Sequence, residues 1–510
     1  MFNSREACAE CRQFLKSRCE YEFTARIAEL SVTSNAASIH GETDVSRPDR
    51  PSHYIVHCLL FPVELAPIAK EFWQHTGRGV SSRFAEHCLR ILEAWLPIES
   101  IDKRNPIKAG RARFQINKAV QELLESNLKC SLLEKEASIH IDERFGRNLD
   151  VRLVDKALKI LKNRLIGVLG DSEGLVDLPA TSDLAESDVF LFPTGMSAIY
   201  QAHKMVLDTR PNMKSVQFGF PYIDTLKIQQ KFGPGCHFYG MGDEGDLEAL
   251  KAFLLQEDIS CVICEFPSNP LLKSPPLADL WMLAAKHNFF LIVDETVGNP
   301  VNISCISSCD MIVSSLTKIF SGDSNVMAGS IILNPASSRY KLAKSWIAKH
   351  DQKDLWCEDV LVLERNSRTF EARIRQINAS AEMLCDTIKN HPKGISSNNA
   401  VTKIYYPKYD SANYLRFSTG QGYGGLFSIV LESEADAANF YDRLEIYKGP
   451  SLGTNFSLAC PYTILAHYNE LAWAASYGLP RHLIRVSVGL EDCGSLVAHF
   501  LQVLDSLIKM

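Results

Sequence analysis

The 510-residue sequence predicts an α/β fold, with a mostly parallel central sheet flanked by helices and a smaller C-terminal α/β domain. Two observations lead to this prediction. Between residues 189 and 314, short apolar runs alternate with segments whose apolar residues recur at helical spacing, which is the pattern of βα units. After Asn334 the pattern changes to long helical stretches and then to alternating segments, which indicates a separate domain.

The elements of the first two-thirds can be assigned in chain order. Helical spacing predicts helices at residues 66–73, 83–95 and 149–169, and polar composition predicts loops at 37–52 and 171–188. The central sheet is predicted from strands at 189–192, 215–218, 236–239, 261–265, 289–293 and 311–314. The helices between them are predicted at 222–231, 247–255 and 277–287.

The remaining third is predicted to begin with two helices, at 340–349 and 360–389. Strands at 402–406, 426–431 and 483–488 and a last amphipathic helix at 496–508 complete the prediction. The chain is therefore divided into an N-terminal extension, a large domain, a helical connector and a small domain, at residues 1–148, 149–336, 337–392 and 393–510.

Composition excludes several kinds of partner. The net charge of −6 leaves no basic excess to neutralise phosphates, so nucleic acid is not predicted as a ligand. No apolar run approaches the roughly 18 residues of a membrane span, and the N-terminus lacks a signal-peptide core, so a cytoplasmic protein is predicted. Cys8 and Cys11 are spaced like half a zinc site, but no matching pair follows, and no metal is predicted.

Two charged side chains stand at the ends of two predicted strands. Asp294 closes the strand at 289–293, and Lys318 follows the strand at 311–314. Because ligand sites in open α/β sheets lie at the carboxyl ends of strands, this acid and this amine are predicted to face one pocket. Pyridoxal phosphate needs a lysine for its Schiff base and an acid against its pyridine nitrogen. A solvated lysine and a turn-capping aspartate are the alternative interpretation.

The flanking residues favour the cofactor. Ser315 and Thr317 place two hydroxyls beside the lysine, where they suit phosphate oxygens, and Gly322 and Gly329 allow close approach of the backbone. Upstream, a predicted strand leads into a helix that begins at Gly195, and free amides at a helix N-terminus bind anions. The sequence therefore predicts a phosphate site near these residues.

A competing cofactor motif is the segment GMGDEG at residues 240–245. It fits the G-x-G-x-x-G pattern of dinucleotide-binding proteins, and Glu265 stands twenty residues beyond it. However, its two acidic residues would place negative charge where a pyrophosphate binds. A turn with Asp246 as the N-cap of the next helix is the preferred interpretation, and a nicotinamide oxidoreductase is kept as an alternative function.

Further motifs resemble the Cys/Met-metabolism family of fold-type I pyridoxal-phosphate enzymes, and within it the fungal cystathionine γ-synthase-like branch. In chain order they are FPTGMSAIY, FPYIDTLK, EFPSNP, VDET, SSLTK and LIRVSVGLED. The resemblance runs from about residue 72 to the C-terminus and is densest between residues 192 and 329. It implies a fold-type I transferase that uses pyridoxal 5′-phosphate.

The resemblance also implies roles for individual residues. The catalytic group is the Schiff-base lysine, the tyrosine that stacks on the pyridine ring and the acid at the pyridine nitrogen, which are Lys318, Tyr222 and Asp294. The other residues implied to bind the cofactor are Gly195, Met196, Asn269, Ser315 and Thr317. The substrate carboxylate is implied to bind at Ser451 and Arg485.

One motif departs from the family pattern. The family's Y-S-R donates a tyrosine and an arginine to the phosphate of the neighbouring subunit, and its best match here is Phe145-Gly146-Arg147. Arg147 keeps the charge, whereas Phe145 lacks the hydroxyl; an alternative alignment uses Arg83 in the segment SSR. The resemblance implies a homodimer or homotetramer with shared active sites, with the N-terminal segment between subunits.

The implied reaction is γ-replacement on an O-acyl-L-homoserine, O-acetyl-L-homoserine in the first place. Cysteine as the nucleophile would give cystathionine. A carbon or amine nucleophile, which would give a non-protein amino acid in specialised metabolism, is the main alternative. A catalytically silent scaffold is another alternative, but a lysine and an acid directed at one pocket argue against it.

Overall fold

The computed structural model describes residues 1–33, 53–95, 130–133, 153–170, 184–351, 354–392, 400–410 and 412–507. The chain forms two compact units. The first contains Met1–Val154 and Gln352–Leu361, and the second contains Asp155–Asp351 and Val362–Met510. The two units are discontinuous in the sequence, whereas the four predicted domains are consecutive segments. The boundaries of those four domains stay a prediction.

The first unit is built on a three-stranded sheet of order β2-β1-β3, with β1 at Arg26–Thr33, β2 at His53–Leu60 and β3 at Cys130–Leu133. β1 pairs antiparallel with β2 and parallel with β3. The helices are Arg5–Arg18, Ala66–Thr76 and Ser82–Trp95. The last two confirm the predicted helices at 66–73 and 83–95, whereas the sheet and the first helix were not predicted.

The second unit contains a seven-stranded sheet of order β4-β10-β9-β8-β7-β5-β6. Its strands are Val189–Phe192, Ser215–Phe218, Cys236–Tyr239, Cys261–Glu265, Phe290–Asp294, Met311–Ser314 and Gly329–Leu333, which are β4 to β10 in chain order. Along the sheet from β6 through β5, β7 and β8 to β9, neighbouring strands are parallel. β10 runs antiparallel to both of its neighbours, β4 and β9. The prediction of a mostly parallel sheet is confirmed; β10 was not predicted.

Helices flank this sheet because each presents an apolar face to its buried strands. These helices are Gly195–Thr209, Ile223–Lys231, Leu277–His287 and Tyr340–His350. The chain also forms the helices Val154–Gly170, Glu244–Phe253, Cys357–Asn366 and Phe370–Asn390, and the last of these packs against the C-terminal sheet. Within the core, Ala198, Ala202 and Met205 of one helix lie in one buried cluster with Phe290 and Ile292 of β8. The helices predicted at 222–231, 247–255 and 277–287 are confirmed within a few residues.

Two local predictions are corrected by the structure. The segment predicted as one helix at 360–389 is interrupted by a 3-10 turn at Ser367–Thr369. There the Ser367 hydroxyl donates back to the carbonyl of Leu363 over 2.8 Å, a local bond that competes with helix continuation. The N-cap of the helix Glu244–Phe253 is Asp243, whose side chain accepts from the amide of Asp246. Asp246 was the predicted cap.

The C-terminal part forms a five-stranded sheet of order β11-β12-β15-β14-β13. These strands are Val401–Tyr405, Leu426–Leu431, Tyr447–Lys448, Leu458–Cys460 and Ile484–Ser487, which are β11 to β15 in chain order. Its helices are Ala412–Leu415, Glu434–Arg443, Tyr462–His467, Leu471–Ser476 and Cys493–Asp505. The three predicted strands and the last helix are confirmed with small boundary shifts; β13 and β14 were too short to be recognised.

In the part of the chain that the structure describes, no helix combines the length and the apolar character needed to cross a bilayer. The parallel strands β7, β8 and β9 end at the same edge of the large sheet, and Glu265 and Asp294 are register partners at that edge. The candidate site is built there.

Candidate active site

Asp294 is the acid at the centre of the site. It is the last residue of β8, it is buried, and its carboxylate accepts from the amide of Thr296 over 2.9 Å. Burial raises the pKa of the Asp294 carboxyl, and the bonds from Thr296 oppose that rise. A buried carboxylate of this kind is stabilised by a cation, which a protonated pyridine nitrogen would supply.

Glu265, at the end of the neighbouring strand β7, binds two backbone segments with one carboxylate. One oxygen accepts from the amide of Tyr222 over 2.5 Å, and the other accepts from the amide of Asn269 over 2.8 Å. Burial and the nearby charge of Asp294 raise the pKa of Glu265 to about 8. Glu265 therefore positions two predicted cofactor residues. It was missed as a site residue, although the motif EFPSNP contained it.

Tyr222 stands just before the helix Ile223–Lys231, and its ring is available to a ligand. Its backbone amide donates to Glu265. In contrast to the buried residues around it, 42% of the surface of Tyr222 is exposed. An exposed, anchored ring provides a flat apolar face for a heteroaromatic group.

Lys318 lies in the turn after β9. Its amide donates to the carbonyl of Ser315 over 3.2 Å, and its Nζ donates to the hydroxyl of Ser451 over 3.4 Å. Burial and the charge of Arg485 lower the pKa of Lys318 to about 8. A larger fraction of this amine is therefore neutral and nucleophilic near physiological pH than for an ordinary lysine.

The start of the helix Gly195–Thr209 meets the residues that precede Lys318. Thr194 caps this helix by accepting from the amide of Ser197, and Met196 lies in its first turn. A Cβ on Gly195 would lie 2.6 Å from the Cβ of Ser315, so only glycine allows this approach. The free amides of the helix and the hydroxyl of Ser315 are thus brought together, as an anion site requires.

The hydroxyl of Thr317 is engaged by the backbone of the following segment. It accepts from the amide of Ala328 over 3.1 Å and donates to the carbonyl of the same residue over 3.3 Å. Thr317 therefore fixes the residue that precedes β10, and its hydroxyl would have to exchange a bond to reach a phosphate oxygen.

Arg485 is the buried cation of the site and belongs to β15. Its Nη1 donates to the Oδ1 of Asn269 over 2.9 Å, and its Nη2 donates to the carbonyl of Ser451 over 2.9 Å. The guanidinium lies 4.8 Å from the centroid of the Tyr462 ring, and the Tyr462 hydroxyl accepts from the Nδ2 of Asn269 over 3.3 Å. Tyr462 was not predicted, because no motif marked it.

The predicted residues fall into linked groups. Glu265 connects the backbones of Tyr222 and Asn269, and Asn269 connects to Arg485. Other direct contacts connect Lys318 with Ser451, Ser451 with Arg485, and Gly195 with Ser315. This donor set fits pyridoxal phosphate: an amine, a buried acid, an exposed aromatic face and a helix N-terminus.

The predicted phosphate arginine, Arg147, and the adjacent Phe145 lie outside the described residues. The alternative, Arg83, forms an ion pair with the buried carboxylate of Asp359 within the first unit, with 2.6 Å between Nη1 and Oδ1. Arg83 is thus used in the packing of that unit, and the role of Arg147 stays a prediction.

The segment at residues 240–245 forms a closed turn. The amide of Gly242, one of those that a pyrophosphate would need, donates to the carboxylate of Asp246 over 2.7 Å. Among the described residues, no group of three or more His, Cys, Asp or Glu side chains is arranged to hold a metal ion. Burial raises the pKa of the Cys8 and Cys11 thiols to about 12, so both stay protonated at neutral pH.

Two family patterns match the chain. Residues 169–505 match "Cys/Met metabolism PLP-dependent enzyme", and residues 1–81 match "Fungal trans-sulfuration enzyme, N-terminal domain". The first match covers about two-thirds of the chain and contains all of the described site residues.

Several known proteins are similar along nearly the whole chain. Cystathionine gamma-synthase of Neurospora crassa is 40% identical over 547 residues, covering 99% of this chain and 86% of that protein. Cystathionine gamma-synthase-like enzyme iboG2 of Amanita muscaria is 38% identical, covering 98% of this chain and 84% of that protein. Cystathionine gamma-synthase of Saccharomyces cerevisiae is 34% identical, covering 99% and 88%.

Solved structures share the fold at lower identity. Cystathionine gamma synthase from Xanthomonas oryzae pv. oryzae aligns with a TM-score of 0.55 and 22% identity, covering 69% of this chain and 85% of that chain. Cystathionine gamma-lyase from Lactobacillus plantarum aligns with a TM-score of 0.54 and 22% identity, covering 73% and 91%. The large and small sheets therefore follow an architecture already known from experiment.

Proposed function

Because the chain belongs to the Cys/Met metabolism family of pyridoxal-phosphate-dependent enzymes, we propose that it catalyses γ-replacement on an O-acyl-L-homoserine, with cysteine as the nucleophile and cystathionine as the product. The main support for the proposal is that Ser451 bonds to both Lys318 and Arg485. Its hydroxyl accepts from the Lys318 amine, and its carbonyl accepts from the Arg485 guanidinium. The amine assigned to proton transfer and the cation assigned to the substrate carboxylate thus bind the same residue.

The cofactor supplies an electron sink for negative charge that develops on the substrate carbons. We assign Lys318 to its covalent attachment, Asp294 to the pyridine nitrogen and Tyr222 to the face of the ring. Asn269 is assigned to the 3′-oxygen of the cofactor, and the phosphate to the residues near the helix N-terminus, which are Gly195, Met196, Ser315 and Thr317. Supporting this assignment are the burial of Asp294 and the contact between Gly195 and Ser315.

Arg485 binds the substrate carboxylate. A guanidinium forms two parallel bonds with a carboxylate, and this one is held in orientation by Asn269, Ser451 and the ring of Tyr462. Fixing the carboxylate leaves one orientation for the carbon chain, which directs the acidic hydrogens at Cα and Cβ towards Lys318.

Lys318 then moves protons. As a free amine, Lys318 would take the proton from Cα, give it up to the bound cofactor and, neutral again, take a proton from Cβ, after which the acyl group would leave Cγ as a carboxylate with the bonding electrons. A pKa of about 8 suits this role, because the amine accepts and releases protons near neutral pH. The Ser451 hydroxyl, which accepts from Nζ, keeps the amine directed at the substrate.

We assign Arg147 to the cofactor phosphate of a neighbouring subunit, which makes the active enzyme a homodimer or homotetramer with shared sites. The acyl group is proposed to be acetyl. The cytoplasmic location stays a prediction.

Two kinds of nucleophile are compatible with the relatives of this chain. The chain is 40% identical to a cystathionine gamma-synthase and 38% identical to a cystathionine gamma-synthase-like enzyme, so identity alone does not separate two activities. A specialised-metabolism enzyme that adds a carbon or amine nucleophile at Cγ is therefore the second candidate.

One experiment separates the two candidates. The purified protein is loaded with pyridoxal phosphate, its absorption spectrum is recorded, and O-acetyl-L-homoserine is added with cysteine or with a panel of carbon and amine nucleophiles. Mass spectrometry that detects cystathionine supports the first candidate, and a product from another nucleophile alone supports the second. A protein that binds no pyridoxal phosphate would contradict both.

A further inference from the structure

Arg373 is a buried cation that contacts the turn after Lys318. It belongs to the helix Phe370–Asn390 and is 8% exposed. Its guanidinium donates to three successive carbonyls, those of Ile319 over 3.1 Å, Phe320 over 2.9 Å and Ser321 over 3.4 Å. These are the three residues that follow Lys318, so one side chain binds the backbone of the whole turn.

The same guanidinium also binds the segment that carries Ser451. Its Nη1 donates to the Oδ1 of Asn455 over 2.8 Å, and the amide of Asn455 donates to the carbonyl of Gly322 over 2.8 Å. We call residues 318–322 the lysine turn and residues 451–455 the serine loop. Arg373 and Asn455 join them into one hydrogen-bonded unit.

The conformation of the lysine turn is adapted to this arginine. Gly322 has φ +76°, and a Cβ at this position would lie 2.2 Å from the Nη1 of Arg373 and 2.3 Å from the Oδ1 of Asn455. The turn can therefore close over the guanidinium only with a glycine here.

A buried guanidinium is costly unless its donors are satisfied. Among the described residues Arg373 forms no ion pair; its Nη1 and Nη2 donate to backbone carbonyls and to the amide oxygen of Asn455, and its Nε has no hydrogen-bond partner. Packing alone does not need a cation at this place, because an apolar side chain would fill the space at lower desolvation cost. What the cation adds is directional contact with two catalytic segments.

We propose that Arg373 is a positioning residue that sets the distance between the Lys318 amine and the substrate-binding Ser451–Arg485 pair. This inference rests on the proposed function. The helix Phe370–Asn390 acts as a rigid support, and the hydrogen bonds of Arg373 hold the lysine turn in a fixed position relative to this helix. Through Asn455 the same support fixes the serine loop, whose carbonyl at Ser451 accepts from Arg485.

The test compares Arg373→Met and Arg373→Lys with a matched control, Arg375→Met. Arg375 is on the same helix, its side chain is 56% exposed, and among the described residues it bonds to Glu371 and Gln421. Thermal unfolding first identifies which variants fold. The apo protein is then mixed with pyridoxal phosphate, reduced with borohydride at timed intervals, and the modified Lys318 peptide is quantified by mass spectrometry.

We expect Arg373→Met to label Lys318 about tenfold more slowly than wild type, because small misplacements of a reacting group reduce rates strongly. Arg373→Lys should recover part of the rate, and Arg375→Met should match wild type. In steady-state assays, Arg373→Met should lower kcat and raise the KM for O-acetyl-L-homoserine. Asn455→Ala, which leaves the arginine bonds to the turn, should raise the KM with little change in kcat.

A folded Arg373→Met variant that labels Lys318 at the wild-type rate and keeps the wild-type KM would overturn the inference. If that variant does not fold, Arg373→Lys and Asn455→Ala decide it, because wild-type labelling and KM in both would equally reject a positioning role. Failure of the proposed function has a different signature. In that case wild-type protein itself would acquire no pyridoxal at Lys318, or would label Lys318 yet form no γ-replacement product.

Discussion

Replacing Gly195 with alanine tests the contact that builds the phosphate end of the site. The added methyl would lie 2.6 Å from the Cβ and 3.0 Å from the Cα of Ser315, whereas ordinary van der Waals contact begins near 3.4 Å. Because the obstructing atoms include backbone, the helix start or Ser315 must move. Overpacking of this kind costs about 1–3 kcal/mol.

This cost can lower either the free energy of unfolding or the affinity for the cofactor. If the native structure resists the shift, the free energy of unfolding falls by about 1–3 kcal/mol. If Ser315 moves instead, the loss falls on pyridoxal-phosphate affinity, where 1–3 kcal/mol corresponds to about a 5- to 150-fold weaker Kd. Urea unfolding of the apo protein measures the first, and fluorescence titration with the cofactor measures the second.

Gly167→Ala is the matched control. Gly167 is an exposed residue of the helix Val154–Gly170, and a Cβ there meets no atom within 4 Å. This change should stabilise the protein by about 0.5–1 kcal/mol and leave cofactor affinity unchanged. The reasoning is refuted if Gly195→Ala changes neither quantity by more than the control does, since the close contact with Ser315 would then carry no energetic weight.

Three further predictions concern Lys318, Arg147 and Glu295, the buried acid that follows Asp294. Lys318→Ala should leave no pyridoxal attached after borohydride reduction and abolish γ-replacement, and undiminished turnover would exclude Lys318 as the catalytic amine. Arg147→Ala should weaken cofactor binding about tenfold or more, as expected for a lost charge-assisted bond, and an unchanged Kd would transfer the role to Arg83. Glu295 is 1% exposed, and burial raises its pKa from 4.5 to about 8. Since the folded state then holds a proton that the unfolded state has lost, Glu295 should make stability fall by up to about 1.4 kcal/mol per pH unit between pH 5 and 8. Urea unfolding of Glu295→Gln should show a smaller fall, and identical slopes would contradict a buried, protonated Glu295.

Much of the large sheet was predictable because its strands carry local information. A strand buried on both faces is a short apolar run, and β7, β8 and β9 each consist of one. Strand β10, which lies between β4 and β9, was missed because the glycine and serine at its start weaken the apolar pattern, although it is fully buried. Short strands such as β13 carry too few residues for any period to be measured.

Local hydrogen bonding was predicted less well than local hydrophobicity. Asp243 and Asp246 are both good helix caps, and the sequence favoured the second. The structure uses Asp243 as the cap, and Asp246 accepts instead from the amide of Gly242. Two competing acceptors three residues apart differ by too little free energy for sequence preference to decide between them.

Short-range periodicity and the surrounding motifs were enough to predict most strands of the large sheet and to identify Asp294 and Lys318, because these signals lie within a few residues of each other. The contacts that hold these residues come from parts of the chain that are distant in the sequence. Arg373 bonds to carbonyls more than 50 positions away, and the bond from Arg485 to Asn269 spans 216 positions. Such partners are chosen by the order in which strands and helices pack, and that order is a property of the whole fold that no local pattern records.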